Sequence, residues 1–417
     1  MFIEFKVCNY RSIGEEQILS LVPAPKQRDY LDNIIDDGKN QSLNVVAIYG
    51  ANGSGKSNIL SAIKLFKQII RHSAHSQSIS TLKYDPFLLR ETWSEKPTSF
   101  EMTFSIEGER YRYGFEYNEA TVLKEWLFRK AVGREVALFE REGDIIQPSS
   151  GLRAKTRLIS HAIDATKHNA LFLSTCDMFN VDEAKYIFEW LFRSLHIDGL
   201  KTEQHGTERL FIDGGFQQQI NDYLVRLKLG PVNFDVIKEE TGGGKVTYEI
   251  YSIHKHYDVD GRPLNGQLSW SMMERESSGS IKAFQMGGPI VYALSTGGSL
   301  FIDEIEAKMH PLITLDTIDL FLNKETNPHN AQLVFATHDT NLLTYAKLRR
   351  DQIYFAEKNN WESTEIYSLS DFTYMGEKER VDSDKEKRYI EGRYGAIPML
   401  TSVGEFKPHR KGSDHGK

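Results

Sequence analysis

Apolar and polar residues alternate from the start of the chain. Ile3-Glu4-Phe5-Lys6-Val7 places its two kinds of side chain on opposite faces of an extended segment, the pattern of a half-buried strand. A polar stretch rich in Asp, Asn and Gln follows, then an apolar run from Leu43 to Tyr49 holding Val45, Val46 and Ile48. Gly50-Ala51-Asn52-Gly53-Ser54-Gly55-Lys56-Ser57 comes directly after it, and Ile59, Leu60, Ile63, Phe66, Ile69 and Ile70 then recur at helical spacing. The predicted order is strand, glycine loop, helix. Residues 71–99 are mixed and read as a linker with a short structured piece at Pro86-Phe87-Leu88-Leu89. Phe100, Met102, Phe104 and Ile106 alternate with polar residues, Glu107-Gly108-Glu109-Arg110 turns, and Tyr111, Tyr113, Phe115 and Tyr117 alternate again, which predicts an antiparallel hairpin.

From about residue 155 to 230 the pattern is mostly helical, as in Phe188-Glu189-Trp190-Leu191-Phe192 and Ile220-Asn221-Asp222-Tyr223-Leu224-Val225, without the sustained heptads of a coiled coil. Val246, Tyr248 and Ile250 resume strand alternation, as do Leu268, Trp270 and Met272. Glu276-Ser277-Ser278-Gly279-Ser280 precedes a helical stretch. Two apolar strands are predicted next, one ending in Asp303-Glu304 and the other, Leu333-Val334-Phe335-Ala336, leading into Thr337-His338-Asp339. The segment from Lys407 to Lys417 is basic, contains Gly and reads as disordered.

Composition narrows the class. The 417 residues are 40% hydrophobic and 26% charged, enough for a large buried core and unlike a disordered or fibrous chain. Lys plus Arg total 51 against 58 Asp plus Glu, a net charge of −7 that excludes a strongly basic nucleic-acid coat but not a local basic patch. Cys8 and Cys176 are the two cysteines, far apart, so neither a disulfide framework nor a zinc ribbon is expected. No apolar run approaches the roughly 20 residues of a membrane span, and MFIEFKVCNYRS lacks a signal-peptide core. A cytoplasmic protein is the expectation.

Gly50-x4-Gly55-Lys56-Ser57 is a complete P-loop. Its backbone N–H groups can close around phosphates at the N-terminus of the following helix, Lys56 can reach the β and γ phosphates, and the Ser57 hydroxyl can bind Mg²⁺. Asp303 and Glu304, at the end of an apolar strand, suit the second half of such a site, Asp303 holding Mg²⁺ and Glu304 polarising the attacking water. On local chemistry alone, Ser277–Ser280 is as readily a helix cap as a phosphate contact, and His338 as readily a surface residue as a catalytic one.

Taken in order, these pieces resemble the ABC-type ATPase heads of the SMC and RecF group, and more narrowly the bacterial AAA15-type, OLD-like ATPases of phage-defence operons, including the AbiL/RloA type. Asn9-Tyr10-Arg11-Ser12 matches the group's opening motif, Glu276–Ser280 stands in the place of the signature, Asp303-Glu304 matches Walker B with its catalytic glutamate, Glu306–Pro311 the D-loop and His338 the switch histidine. Gly392-Arg393-Tyr394-Gly395-Ala396-Ile397-Pro398 is similar to a feature of the narrower family. The signature is shorter than Leu-Ser-Gly-Gly-Gln, so transport is not implied, and Tyr84–Leu89 is only a candidate Q-loop.

The resemblance implies an α/β ATPase head with a P-loop core, an antiparallel β subdomain and a mainly helical insertion. Residues 1–70 would supply the N-terminal part of the head and 71–149 the linker and β subdomain. Residues 150–245 would be the insertion, 246–375 the C-terminal part of the head and 376–417 an extension with a basic tail. ATP and Mg²⁺ are the implied cofactors. Arg11, Gly50, Asn52, Gly53, Ser54, Gly55, Lys56, Ser57 and Asn58 would bind nucleotide. Ser278 and Gly279 of a facing head would complete the site, and Lys56, Glu304 and His338 would act in catalysis. Asp382-Ser383-Asp384 lies in a Lys/Glu-rich run, and too few residues follow His338 for an ordinary domain of about 100–150 residues, so no nuclease is expected here. The expected partners are a second copy in an ATP-sandwiching homo-oligomer and a separately encoded effector, with DNA or a phage protein as trigger. Three outputs are open: a sensor or regulator of phage defence, a DNA-binding repair clamp, and a scaffold that binds ATP with little turnover.

Overall fold

Every residue of the strand Val45–Tyr49 is buried, because helices or a second sheet cover both faces of the sheet it centres. In the computed structural model, which describes residues 1–25, 27–153, 155–199, 206–241, 245–374, 377–378 and 383–398, this strand lies between Gln332–Ala336 and Ile353–Lys358, parallel to both. The six-stranded core sheet runs Leu195–Asp198, Ser299–Asp303, Gln332–Ala336, Val45–Tyr49, Ile353–Lys358, Thr364–Ser368, with only the last strand antiparallel to its neighbour. The mixed α/β class expected from the sequence is the class observed.

The period of two divides the core sheet between two hydrophobic cores. Val46, Ile48, Phe301, Val334 and Ala336 face the helix Lys56–His72. Val45, Ala47, Tyr49, Leu300, Ile302, Leu333 and Phe335 face the opposite way, toward the helices Ser278–Thr296 and Pro311–Leu322. On its far side the Lys56–His72 helix meets a seven-stranded antiparallel sheet, where Phe66 stacks on Phe115 with ring centroids 5.4 Å apart. One helix therefore locks two sheets together, and that helix begins at the P-loop.

The antiparallel sheet is larger than the expected hairpin. Thr98–Ile106 and Glu109–Tyr117 are joined by only Glu107 and Gly108, and Phe2–Cys8 pairs with Thr98–Ile106. The strands Phe2–Cys8 and Gln17–Ser20 thus belong to this sheet rather than to the core sheet. Gln332 ties them back: its side chain accepts from Phe2 N (2.6 Å) and donates to Phe2 O (2.8 Å).

Among the described residues, 150–245 hold five helices between Thr156 and Arg226, but also the strand Leu195–Asp198, which enters the core sheet beside Ser299–Asp303. Four residues are too few for a periodicity to register. Asn233–Thr241 opens a three-stranded antiparallel sheet completed by Lys245–Tyr257 and Pro263–Ser271. Met272 does not continue that last strand. It begins the short helix Met272–Arg275 and is fully buried there, so its place in the alternation reflects a helix seated in the core. The helix Lys385–Ile390 packs its Tyr389 ring on Phe355, centroids 5.4 Å apart, returning the C-terminal extension to the core sheet. Lys407–Lys417 and Asp382 lie outside the described residues, and among those described no helix is long and apolar enough to cross a membrane.

Glu125 joins the antiparallel sheet to the helical segment. It is fully buried, accepts from the backbone N–H of Phe172 (2.6 Å) and Leu173 (2.9 Å) and from the Tyr113 hydroxyl (2.9 Å), and lies 3.7 Å from the equally buried Arg141. Glu125→Ala leaves the Phe172 and Leu173 N–H groups and the Tyr113 hydroxyl without this acceptor and the buried Arg141 without its counter-charge, and is expected to destabilise the fold by about 3–5 kcal/mol, read from the midpoint of urea unfolding. An unchanged midpoint would contradict this.

Candidate functional site

The P-loop leaves the buried strand at Tyr49 and ends where Gly55 starts the Lys56–His72 helix. Gly55 has φ +102°, and a Cβ there would lie 2.0 Å from Thr364 Oγ1, so both conformation and space require glycine. Thr364 is a centre of the loop's support. Its hydroxyl donates to Ser54 O (2.9 Å) and lies 2.8 Å from Ser12 Oγ, which accepts from Asn58 Nδ2 (2.6 Å). The Asn9–Ser12 motif is thereby fixed against the first turn of the P-loop helix. Arg11 stands beside it, paired with Asp85 through Nε at 2.9 Å, and the Asn9 side chain holds the loop that contains Tyr84–Leu89 by accepting from Phe87 N (3.0 Å).

Lys56 is buried, and its Nζ donates to Gly50 O (2.8 Å) and Ala51 O (3.1 Å), curling over the loop. Burial lowers its pKa to about 8, against the opposing pull of Asp303, Glu306 and Glu304. Those carboxylates sit at and just beyond the end of Ser299–Asp303, two strands away in the sheet. The Ser57 hydroxyl acts on the Asp303 carboxylate, opposing the rise in its pKa, and Asp303 Oδ1 is buried without a hydrogen-bond partner. Burial raises the Asp303 pKa, and Asp198 adds to the shift. Glu304 has φ +51°, and burial raises its pKa with help from Asp303, Glu306 and Asp198.

Glu306 fastens His338 to this edge: its Oε2 accepts from Thr337 Oγ1 and its Oε1 from His338 N, both at 2.7 Å. Burial lowers the His338 pKa, as does Lys56, which favours the neutral ring. The structure thus gathers Gly50, Asn52, Gly53, Ser54, Gly55, Lys56, Ser57, Asn58, Asp303, Glu304 and His338 around one strand-to-helix turn. A cavity of about 990 Å³ lies along the outer side of Gly50–Ser54, between His338 and the Gly392–Pro398 segment.

Ser278 and Gly279 stand apart from this group. They begin the Ser278–Thr296 helix, capped by Ser277 Oγ accepting from Ser280 N (3.1 Å), and a Cβ on Gly279 would lie 3.3 Å from Lys308 O. Their place is beside the D-loop, with Ser278 exposed. Neither residue lines the cavity along Gly50–Ser54.

Three contributors went unread in the sequence: Thr364, Asp198 and the clamp role of Glu306. Thr364 had no local signal. Asp198 did, since Leu195-His196-Ile197-Asp198 is an apolar strand tipped by an acid, as Asp303's strand is. It pairs in register with Asp303, and Gly199 N donates to Asp303 O (2.7 Å). A Cβ on Gly199 would fall 2.2 Å from Glu304 O, so the crossing is built on that glycine.

The oxygen-only set of Ser57 and Asp303, with one buried carboxylate oxygen unpartnered, fits a Mg²⁺ held by few protein ligands plus phosphate oxygens. Among the described residues no cluster of three or more His, Cys, Asp or Glu could hold a metal by itself.

A family model described as "AAA domain, putative AbiEii toxin, Type IV TA system" matches residues 45–344, from the strand before the P-loop to just past the switch histidine. No curated protein matches the chain.

Gly55→Ala should weaken binding of a fluorescent ATP analogue at least tenfold, on the order of 1.4 kcal/mol, because the new methyl displaces Thr364 from the loop. Binding at the original affinity would show that the loop adapts and that the Thr364 contact does not support it.

Proposed function

Because the chain belongs to this AAA-domain family, whose domain implies nucleotide hydrolysis, we propose that it is a Mg²⁺-dependent ATPase that gates a separately encoded effector in defence against phage. The single observation that carries the enzymatic part is the meeting of Lys56, Ser57, Asp303 and Glu304 at one turn. The loop N–H groups of Gly50–Ser57 receive the phosphates, and Lys56 exchanges the Gly50 and Ala51 carbonyls for phosphate oxygens. Ser57 and Asp303 would hold Mg²⁺, which would supply charge neutralisation. Glu304 takes the proton of the attacking water, and its raised pKa makes it the stronger base. His338, held by Glu306 through its backbone N–H, lines the cavity beside Gly50–Ser54 and would sense the γ-phosphate there.

Ser278 and Gly279 act on a second copy. The exposure of Ser278, and the absence of Ser278 and Gly279 from the lining of the cavity beside Gly50–Ser54, support a site completed between two heads, so that ATP drives pairing and hydrolysis releases it. The defence assignment draws on the family description, which names a toxin and a toxin–antitoxin system, and on the resemblance to phage-defence ATPases. The net charge of −7 favours a protein partner over a DNA clamp.

Glu304→Gln should keep ATP binding and lose turnover by roughly 10²–10⁴-fold, measured as phosphate release. Turnover at the original rate would remove Glu304 from the mechanism. In a phage plating assay in the native host, Lys56→Ala and Glu304→Gln should each abolish protection, and full protection in both would contradict the defence role.

A further inference from the structure

Glu276 is the hub of a polar cluster outside the nucleotide site. Its Oε1 accepts from the Ser252 hydroxyl (2.7 Å), His254 Nε2 (2.8 Å) and the Trp270 indole N–H (3.0 Å). Ser252 and His254 lie two residues apart on Lys245–Tyr257, and Trp270 is opposite Ser252 in register on Pro263–Ser271, so two strands of one sheet converge on a single carboxylate oxygen. The His254 ring stacks on Trp270 with centroids 4.1 Å apart, which fixes both donors. Burial alone would raise the Glu276 pKa, but the hydrogen bonds from Ser252, Trp270 and His254 outweigh it and hold the carboxyl below its ordinary value. A carboxylate that merely ended a loop could be satisfied by water. This one has been drawn out of water by three side chains that make up the inner end of the sheet.

The position of Glu276 in the chain gives the cluster its consequence. It immediately precedes Ser277, which caps the Ser278–Thr296 helix, and the exposed Ser278 follows. The same sheet meets the same helix once more, through Phe234 on Phe284 at 5.8 Å between centroids. Beyond these contacts Pro263–Ser271 is exposed along most of its length. The sheet is therefore anchored at the signature turn and open to solvent away from it.

We propose that Glu276 is a positioning residue that fastens the Ser277–Ser280 turn to the three-stranded sheet, so that closing of a second copy's nucleotide site depends on how this sheet is seated. The inference rests on the reading above that the turn faces the nucleotide of a second copy. Its test uses the full chain with Glu276→Ala, Glu276→Gln and the sheet variant Ser252→Ala/His254→Gln. Three quantities are followed: binding of a fluorescent ATP analogue, ATP-dependent pairing by light scattering, and turnover.

Glu276→Ala should bind the analogue within twofold of the parent, while the concentration needed for pairing rises at least tenfold and turnover falls with it. Glu276→Gln, which keeps an acceptor oxygen, should recover most of both. Ser252→Ala/His254→Gln, which leaves the turn's own residues intact, should behave as Glu276→Ala does. Unchanged pairing in either Glu276→Ala or the sheet variant overturns the inference. If Glu276→Ala loses analogue binding and melts early, the sheet variant alone decides. A parent chain that binds ATP but never pairs overturns the two-head reading itself, and that outcome is seen without any Glu276 variant.

Discussion

The parallel pairing of Val45–Tyr49 with Gln332–Ala336 is the constraint on which the rest of the molecule depends. It joins the strand that launches the P-loop to the strand that delivers His338, and most of the chain lies between them. Parallel strands require a crossover, and here the crossover holds most of the antiparallel sheet, the helical segment and the three-stranded sheet. Each of these must leave the core and return without disturbing the ladder. Leu195–Asp198 and Ser299–Asp303 enter the sheet on the way back, so the acids of the site arrive at the same edge as the phosphate loop.

Burial on both faces gives the ladder its rigidity, and polar side chains set its register. Gln332 binds the first strand of the antiparallel sheet. Gln352 donates to Asn44 Oδ1 (3.1 Å) and Val45 O (2.8 Å) while accepting from Asn33 and from Arg349 N. These groups are fully buried and matched donor to acceptor, so a slipped register would strand several of them at about 1–3 kcal/mol each. The site inherits this precision. Asp303, Glu304 and Lys56 can hold raised or lowered pKa values because the frame beneath them does not relax toward water.

Elements that follow one simple physical rule were legible in the sequence. The P-loop, its flanking strand and helix, the hairpin near residues 100–117 and the acid-tipped strand all carry periodicity or fixed motif spacing. Leu195–Asp198 was hidden because four residues cannot display a period, and Met272 was misread because a buried helix residue and a buried strand residue look alike over so short a run. Thr364 and Glu306 support the site through contacts with residues distant in the chain, Ser54 and Ser12 for one and Thr337 for the other, and no local pattern encodes such partnerships. Ser278 and Gly279 were correctly placed at a helix start. Their place beside Lys308 became visible only with the fold.

The central claim is that ATP is held between the P-loop of one copy and the signature turn of another. Asn52 and Ser278 are both exposed, and Cys176 is buried. The most direct measurement mixes an Asn52→Cys chain with a Ser278→Cys chain and applies a short bismaleimide with ATP, with ADP and without nucleotide. The account predicts a crosslink joining the two different chains that forms with ATP and is lost with ADP. Absence of that crosslink in every state, with both variants still binding ATP, would contradict it.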